Sequence, residues 1–149
     1  MGSGTPVVLA HGFGLDMHCW NVIADDLVSK GFKVIAFDQR GHGRTDVGSE
    51  GVGSRQMVDD YLAVLRAYDV SGGILVGHSM GGLHAKLQVV DPGTALWDSL
   101  AQVPFERLRA PPALRERVAA TYFFKPAPFV KRVVYIATPH GGSALASLG

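Results

Sequence analysis

Apolar residues occur along the chain in two kinds of pattern, short continuous runs and longer stripes at helical spacing. The four strand candidates are residues 7–10, 33–37, 74–76 and 133–137, and every residue in them except Lys33 is apolar. Continuous rather than alternating runs are typical of strands that are covered on both faces of a sheet. Each run is followed by a segment that contains both Gly and His, which predicts a loop at its carboxyl end.

Stretches with apolar residues at helical spacing separate the strand candidates. Their apolar positions are Trp20, Ile23, Ala24, Leu27 and Val28 in the first; Met57, Val58, Tyr61, Leu62, Leu65 and Tyr68 in the second; and Leu83, Leu87 and Val90 in the third. Gly31 is predicted to end the first helix, and Ser54 is predicted to cap the second. Alternating strands and helices predict an α/β fold, a three-layer sandwich with a mostly parallel sheet.

Residues 91–131 interrupt this alternation with several prolines and many aromatic residues. We predict one helix over residues 113–124, with Pro112 in its first turn. One interpretation is a packed excursion that covers the edge of the sheet. The other is a small helical cap, a lid with an apolar underside over a ligand site. The predicted organisation is a single domain, residues 1–149, with a core formed by residues 1–90 and 132–149 and a cap insertion formed by residues 91–131.

Composition narrows the classes of protein that fit this pattern. Of the 149 residues, 47% are hydrophobic and 18% are charged, which excludes a disordered chain. The net charge of +1 gives no electrostatic basis for binding nucleic acid or an anionic membrane. The longest charge-free run, residues 133–149, contains proline and glycines and is a poor transmembrane segment. Cys19 is the single cysteine, which excludes an intrachain disulfide and favours a cytoplasmic location.

The third strand candidate runs into the sequence Gly-His-Ser-Met-Gly, which fits the pattern G-x-S-x-G. This pattern predicts a nucleophile elbow, in which Ser79 lies on a sharp turn between a strand and a helix. Glycines are needed at positions 77 and 81 because side chains there would collide with the neighbouring strand and helix. The turn places the Ser79 oxygen near the positive end of the following helix. We therefore predict that Ser79 is a catalytic nucleophile.

A second glycine-rich segment, His-Gly-Phe-Gly, follows the first strand candidate. A fold with such an elbow places its second oxyanion donor in a loop of this kind. We predict that the backbone N–H groups of Phe13 and Met80 form an oxyanion hole, which binds the oxygen that becomes negative when Ser79 attacks a carbonyl. The residues predicted to shape the adjoining pocket are His11, Gly12 and His78. The alternative interpretation of this segment is an ordinary glycine-rich turn.

Three segments in this order, residues 7–14, 37–43 and 77–82, resemble the α/β-hydrolase superfamily. The chain up to about residue 90 is similar to esterases and cofactor-free haloperoxidase-like hydrolases, and residues 134–143 are similar to lipase-like members. The resemblance implies a serine esterase or lipase that cleaves a carboxylic ester, or a lipid, through an acyl-enzyme on Ser79. It implies no cofactor and no metal. Related dehalogenases and epoxide hydrolases use Asp at the nucleophile position, so the serine favours acyl transfer.

The resemblance also implies an acid and a histidine base after the nucleophile. His140 is the one late histidine and is the candidate base; the alternative is a structural role in its Thr-Pro-His-Gly-Gly turn. The acidic residues after Ser79 all precede the fourth strand candidate, whereas the acid in this family follows a later strand. An eight-stranded hydrolase at about 30 residues per strand-helix unit needs roughly 240 residues, so we expect a partial, truncated α/β-hydrolase fold.

Two functional hypotheses follow from this resemblance. The first is a serine hydrolase of which this chain is the N-terminal portion. The second is a truncated or non-catalytic hydrolase-like binding module that retains the elbow and lacks a complete triad. If the chain is instead an unusual minimal sheet rather than a fragment, its exposed edges need a cover, and a second copy of the chain, which would make a homo-oligomer, is one candidate.

Overall fold

The computed structural model describes residues 2–49 and 53–142. Its strands are β1 (Pro6–Ala10), β2 (Lys33–Ala36), β3 (Gly73–His78) and β4 (Val130–Ile136). Its α-helices are α1 (Asn21–Ser29), α2 (Ser54–Ala67), α3 (Met80–Leu87), α4 (Ala95–Asp98) and α5 (Pro112–Tyr122), and short 3₁₀ helices form at Met17–Trp20 and Phe105–Arg107. All four predicted strands are therefore present. The last part of the predicted core, residues 143–149, lies outside the described residues.

The strands form one parallel sheet in the order β2-β1-β3-β4. This arrangement confirms the predicted α/β class. The chain leaves β1 toward one side to form β2 and returns to the other side of β1 to form β3. The carboxyl ends of β1 and β3 therefore flank the point where the direction of winding reverses, which is where open α/β sheets bind their ligands.

Both faces of the sheet are covered, because alternate residues of β1 enter two different cores. Val7 and Leu9 pack on one face with Trp20 and Ala24, from the 3₁₀ helix and α1. The other face is the larger core and is formed by Val8, Ala10, Ile35, Tyr61, Leu65, Val70, Leu75 and Ala85. Its helical members come from α2 and α3. This double burial explains the continuously apolar sequence of β1, whereas β4, at the edge of the described sheet, is largely exposed.

The ends of the first two helices test the predicted caps. Gly31 follows α1 with φ of +86°, which confirms the glycine stop because this left-handed conformation favours glycine. The predicted cap of α2 is wrong by one position, since Gly53 occupies the cap and Ser54 is the first helical residue. Within residues 2–49 and 53–142, no helix is long and apolar enough to cross a membrane.

The predicted insertion, residues 91–131, contains α4, the second 3₁₀ helix and α5. Its aromatic side chains pack mainly on one another: the Trp97 ring lies 5.5 Å from Phe105 and 5.8 Å from Tyr122, and Phe105 lies 4.8 Å from Phe123. The Arg115 guanidinium sits 4.5 Å above the Phe105 ring. This aromatic cluster gives the segment a small core of its own. Strand β4 begins at Val130, two residues before the predicted start of the second part of the core.

Candidate active site

The sharp turn predicted between β3 and α3 is present. Ser79 lies between the last residue of β3 and the first residue of α3, with φ of +52° and ψ of −122°. A non-glycine residue in such a conformation costs about 1–3 kcal/mol and persists only where its surroundings fix it. The Ser79 N–H donates a 2.9 Å hydrogen bond to the carbonyl oxygen of Ile136, which anchors the turn to β4.

The glycines around Ser79 are required by close packing. A Cβ on Gly77 would lie 2.6 Å from the backbone nitrogen of Gly82, and a Cβ on Gly81 would lie 2.5 Å from the carbonyl oxygen of Ala10. A Cβ on Gly82 would overlap the Thr138 side chain, with its Cγ2 at 2.8 Å. All three positions therefore exclude a side chain. The elbow helix lies directly on the end of β1 and on the turn that follows β4.

The loop after β1 reaches the nucleophile. A Cβ on Gly12 would lie 3.0 Å from the Cβ of Ser79 and 2.9 Å from Nδ1 of His78, so these three residues are neighbours. Phe13 follows with its side chain 80% exposed. Phe13 and Met80 line one cleft of about 370 Å³. The structure thus places Gly12 and His78 beside Ser79, and Phe13 and Met80, the next residues of the two segments, in one adjoining cleft that Ser79 itself does not line.

Two backbone N–H groups beside Ser79 have no partner in the part of the chain that the structure describes. The N–H of Phe13 makes no hydrogen bond to a described residue. Met80 is the first residue of α3, where the N–H has no intrahelical acceptor. Unpaired N–H groups at a helix start and in a tight loop favour a negatively charged oxygen.

His11 is fully buried and lies beneath the loop rather than in an open pocket. Its Nε2 accepts a 3.0 Å hydrogen bond from the N–H of Gln39, so its proton is on Nδ1, which lies 2.8 Å from the carbonyl oxygen of Gly12. Burial lowers the pKa of His11 and keeps the ring neutral, which this pattern of one donor and one acceptor requires. His11 therefore holds the Gly12 loop in place.

Asp38 and His42 have structural roles in the loop after β2. The Asp38 carboxylate accepts hydrogen bonds from the N–H groups of Met17, at 2.7 Å, and Arg44, at 3.0 Å. Burial opposes the charge of Asp38, but these hydrogen bonds prevail and lower its pKa. The His42 ring lies 5.7 Å from the Phe13 ring and 5.1 Å from the His11 ring, so this loop supports the one after β1.

Three buried polar side chains next to the elbow, Gln39, Tyr61 and His84, were not among the predicted site residues. The Gln39 side chain donates to the carbonyl oxygen of His11 and accepts from Nδ1 of His84 at 3.0 Å. The Tyr61 hydroxyl lies 3.2 Å from the carbonyl oxygen of Gly81. Burial lowers the pKa of His84 to about 4, with the nearby His42 adding to the shift. Isolated polar residues in apolar stretches gave no motif by which the sequence alone would group them.

His140 follows β4, next to the strand that carries Ser79. Its ring packs edge-on against Tyr135, with the centroids 4.6 Å apart, and its N–H donates to the carbonyl oxygen of Thr138 at 2.9 Å. Within residues 2–49 and 53–142, no hydrogen bond joins the Ser79 hydroxyl to a histidine ring. The structure therefore places His140 at the correct end of the sheet without joining it to the nucleophile.

These features agree with the family to which the sequence belongs. Residues 5–87 match the alpha/beta hydrolase fold family, which covers more than half of the chain. The chain is therefore an α/β-hydrolase fold protein, which confirms the resemblance carried by its three glycine-rich motifs. The matched part includes β1, the elbow serine and the whole of α3.

Esterases, haloperoxidases and epoxide hydrolases are among the proteins to which the chain is similar. A non-heme chloroperoxidase from Streptomyces lividans is 40% identical over 79 residues, which is 53% of this chain and 29% of that protein. An esterase from Exiguobacterium antarcticum is 32% identical, with a TM-score of 0.55 over 57% of this chain and 32% of its own. The bromoperoxidase from Bacillus anthracis has a TM-score of 0.61 at 26% identity over 92% of this chain and 38% of its own. The chain spans between 29% and 38% of the length of these three proteins.

Proposed function

We propose that the chain carries the nucleophile and the oxyanion hole of a serine hydrolase that cleaves carboxylic esters. The observation that carries the proposal is the left-handed conformation of Ser79 at the carboxyl end of β3, in contact with the Gly12 loop. Strain of this kind in a non-glycine residue clusters at sites of chemistry. A purely structural turn at this point would be better served by glycine.

In the proposed reaction, the Ser79 Oγ forms a bond to the ester carbonyl carbon and loses its proton to a base. The carbonyl oxygen becomes negative and accepts hydrogen bonds from the N–H groups of Phe13 and Met80. Collapse of this intermediate breaks the bond to the alcohol, which leaves with the proton and gives an acyl-enzyme. Water then attacks the acyl-enzyme, which releases the acid and restores Ser79.

Support for the ester as substrate class comes from three sources. The chain is similar to an esterase from Exiguobacterium antarcticum and to a bifunctional esterase/perhydrolase from Acinetobacter calcoaceticus. The nucleophile is a serine, which forms esters with acyl groups. Apolar residues of α3 and the insertion line a further cleft of about 460 Å³, among them Leu83, Leu87 and Phe124; its surface suits an acyl or aromatic group, but Ser79 is not among its lining residues.

Within this proposal, His140 is the candidate base. It follows the strand next to that of Ser79, and a change of its side-chain rotamer away from Tyr135 would free the ring. The competing proposal is a non-catalytic binding module of the same fold. The observation that favours this second function is the absence, within the described residues, of a hydrogen bond between the Ser79 hydroxyl and a histidine.

The test is covalent labelling of the purified chain with a fluorophosphonate, followed by mass spectrometry of the modified peptide. We expect one adduct on Ser79, no adduct in Ser79→Ala, and unchanged labelling in Ser99→Ala, which removes an exposed serine hydroxyl elsewhere. Absence of labelling in the wild-type chain would overturn the proposal that this chain alone contains an activated serine, and would favour the binding module.

The exposed edge of the sheet is the basis of a further proposal, on oligomeric state. Strand β4 forms the outer edge of the described sheet, and Val134, Tyr135 and Ile136 are each about two-fifths exposed, so a second copy of the chain is proposed to cover this edge. Sedimentation at micromolar concentration should then give a dimer mass, and a monomer at all concentrations would refute it.

The cytoplasm is the proposed compartment, on the basis of the single cysteine, Cys19.

A further inference from the structure

Gln39 is the most highly connected buried polar side chain near the elbow. Only 2% of its surface is exposed, so both ends of its amide need hydrogen-bond partners. Its backbone N–H donates to Nε2 of His11, and its side-chain nitrogen donates to the carbonyl oxygen of the same residue. These two hydrogen bonds bind the loop after β2 to the loop after β1.

The other end of the amide faces two helices. Oε1 of Gln39 lies 3.0 Å from Nδ1 of His84, on α3, and 3.4 Å from the Tyr61 hydroxyl, on α2. An amide oxygen only accepts, so Nδ1 of His84 carries a proton. The Tyr61 hydroxyl has one proton, which it shares between Gln39 and the carbonyl oxygen of Gly81 at 3.2 Å.

These contacts fix the orientation of the amide. The carbonyl oxygen of His11 can only accept, so the amide nitrogen must face it and Oε1 faces His84 and Tyr61; the flipped amide would set oxygen against oxygen at His11. A glutamine satisfies this arrangement because it carries one donor group and one acceptor. Glutamate has the same shape and lacks the donor, whereas methionine has a similar shape and lacks both.

Two contacts of this network adjoin the proposed oxyanion donors. The carbonyl group of His11, a direct partner of Gln39, is two residues before Phe13. On the other side Gln39 contacts His84, on α3, and the Tyr61 hydroxyl, which lies 3.2 Å from the carbonyl oxygen of Gly81, directly after Met80. The amide therefore connects the segment that bears one donor with the segment that bears the other. We propose that Gln39 is a positioning residue, whose side-chain amide sets the separation of the Phe13 and Met80 N–H groups across the site.

This inference rests on the proposed function of Ser79 and extends it to a residue that does not touch the substrate. Misplacement of a catalytic group by about 1 Å costs on the order of 100-fold in rate, and loss of one oxyanion donor costs about 100- to 1,000-fold. Loosening the connection should move both donors without removing either. We therefore expect Gln39→Met to lower the rate constant for fluorophosphonate labelling of Ser79 by about 10- to 100-fold.

The experiment separates positioning from loss of folded protein by following labelling to completion. A positioning role lowers the rate constant while the final fraction labelled stays near that of the wild type. A merely structural role lowers the final fraction and leaves the rate constant of the folded molecules unchanged, which would overturn the proposal. The matched control is Gln102→Met, the same change at an exposed glutamine outside the network.

A second variant and a second measurement keep the test decisive if Gln39→Met folds poorly. Tyr61→Phe removes one shared proton from the network and should give a smaller fall in the same rate constant. In nitrogen-15 NMR spectra of the wild type, the ring of His84 should carry its proton on Nδ1, facing Oε1 of Gln39. A proton on Nε2 alone would contradict this contact with the side-chain amide and refute the inference.

Backbone amide spectra separate this inference from the proposed function. If wild-type Ser79 is not labelled, the hydrolase proposal fails, and the positions of the Phe13 and Met80 amide signals still test Gln39. Movement of both signals in Gln39→Met, with neither moving in Gln102→Met, would support positioning. Signals that stay in place would refute it, even in a chain that labels normally.

Discussion

The contact between α3 and the end of β1 allows the effect of Gly81→Ala on the free energy of unfolding to be predicted. The new Cβ would lie 2.5 Å from the carbonyl oxygen of Ala10 and 2.8 Å from the carbonyl carbon of the same residue. An ordinary carbon–oxygen contact is about 3.3–3.6 Å, so the two segments must separate by about 1 Å. Because the obstructing atoms belong to the backbone of a buried strand, no side-chain rotation relieves the overlap.

Two opposing effects determine the sign of this change. Overpacking of a closed core costs about 1–3 kcal/mol. Replacing a helical glycine by alanine gains at most about 1 kcal/mol through helix propensity. With the packing cost at the upper end of its range, the free energy of unfolding should fall by about 2 kcal/mol.

Urea unfolding followed by circular dichroism measures this difference, provided that the slope against denaturant is unchanged. Gly141→Ala is the matched control, because no atom of residues 2–49 and 53–142 lies within 4 Å of the Cβ it adds, and its effect should stay within about 0.5 kcal/mol. If the free energy of unfolding of Gly81→Ala equals that of the wild type or exceeds it by about 1 kcal/mol, helix propensity alone accounts for the change. That result would refute the tight contact with Ala10.

Three further predictions concern the same region. Burial lowers the pKa of His84 from 6.5 to about 4, so between these pH values the unfolded chain binds a proton and the folded chain does not. The free energy of unfolding should therefore fall by about 3 kcal/mol as the pH drops from 6.5 to 4. His84→Asn should flatten this pH profile, and an unchanged profile would contradict the prediction. Gly82→Ala should lower the free energy of unfolding by about 1–3 kcal/mol, because the new Cβ overlaps the Thr138 side chain. In a double-mutant cycle, Thr138→Gly should recover more than half of that loss, and additive losses would contradict the contact. His140→Ala should slow labelling of Ser79 by about 100-fold if it is the base, and an unchanged rate would assign the ring to its turn with Tyr135.

The sequence was sufficient to predict the sheet and the elbow because both depend on local patterns. Continuous apolar runs predicted all four strands, and G-x-S-x-G predicted the turn whose left-handed serine the structure contains. Strands β3 and β4 extend beyond their apolar runs, since pairing in the parallel ladder includes Gly73 and the charged Arg132. Strand bounds set by backbone pairing cannot be derived from hydropathy alone.

The support of the site could not be predicted in the same way. Gln39, Tyr61 and His84 are distant in sequence, and each is unremarkable in its own segment. Their hydrogen bonds exist only after the loops after β1 and β2 and the two helices meet around one buried amide. His11 illustrates the same limit, because its motif predicted a pocket residue and the structure places it beneath the loop as a fully buried support.

The five residues of the elbow motif, positions 77–81, differ in how much substitution the structure tolerates. Backbone atoms lie too close to Gly77 and Gly81 for a side chain, so substitution at either position is disfavoured. His78 and Met80 flank the nucleophile and already bear side chains of different size and polarity. Variation in a lineage of such proteins can therefore enter at these two alternate positions, and each accepted change alters the surroundings of the reacting oxygen while the turn itself stays intact. A scaffold of this kind can diversify its choice of substrate without rebuilding its nucleophile.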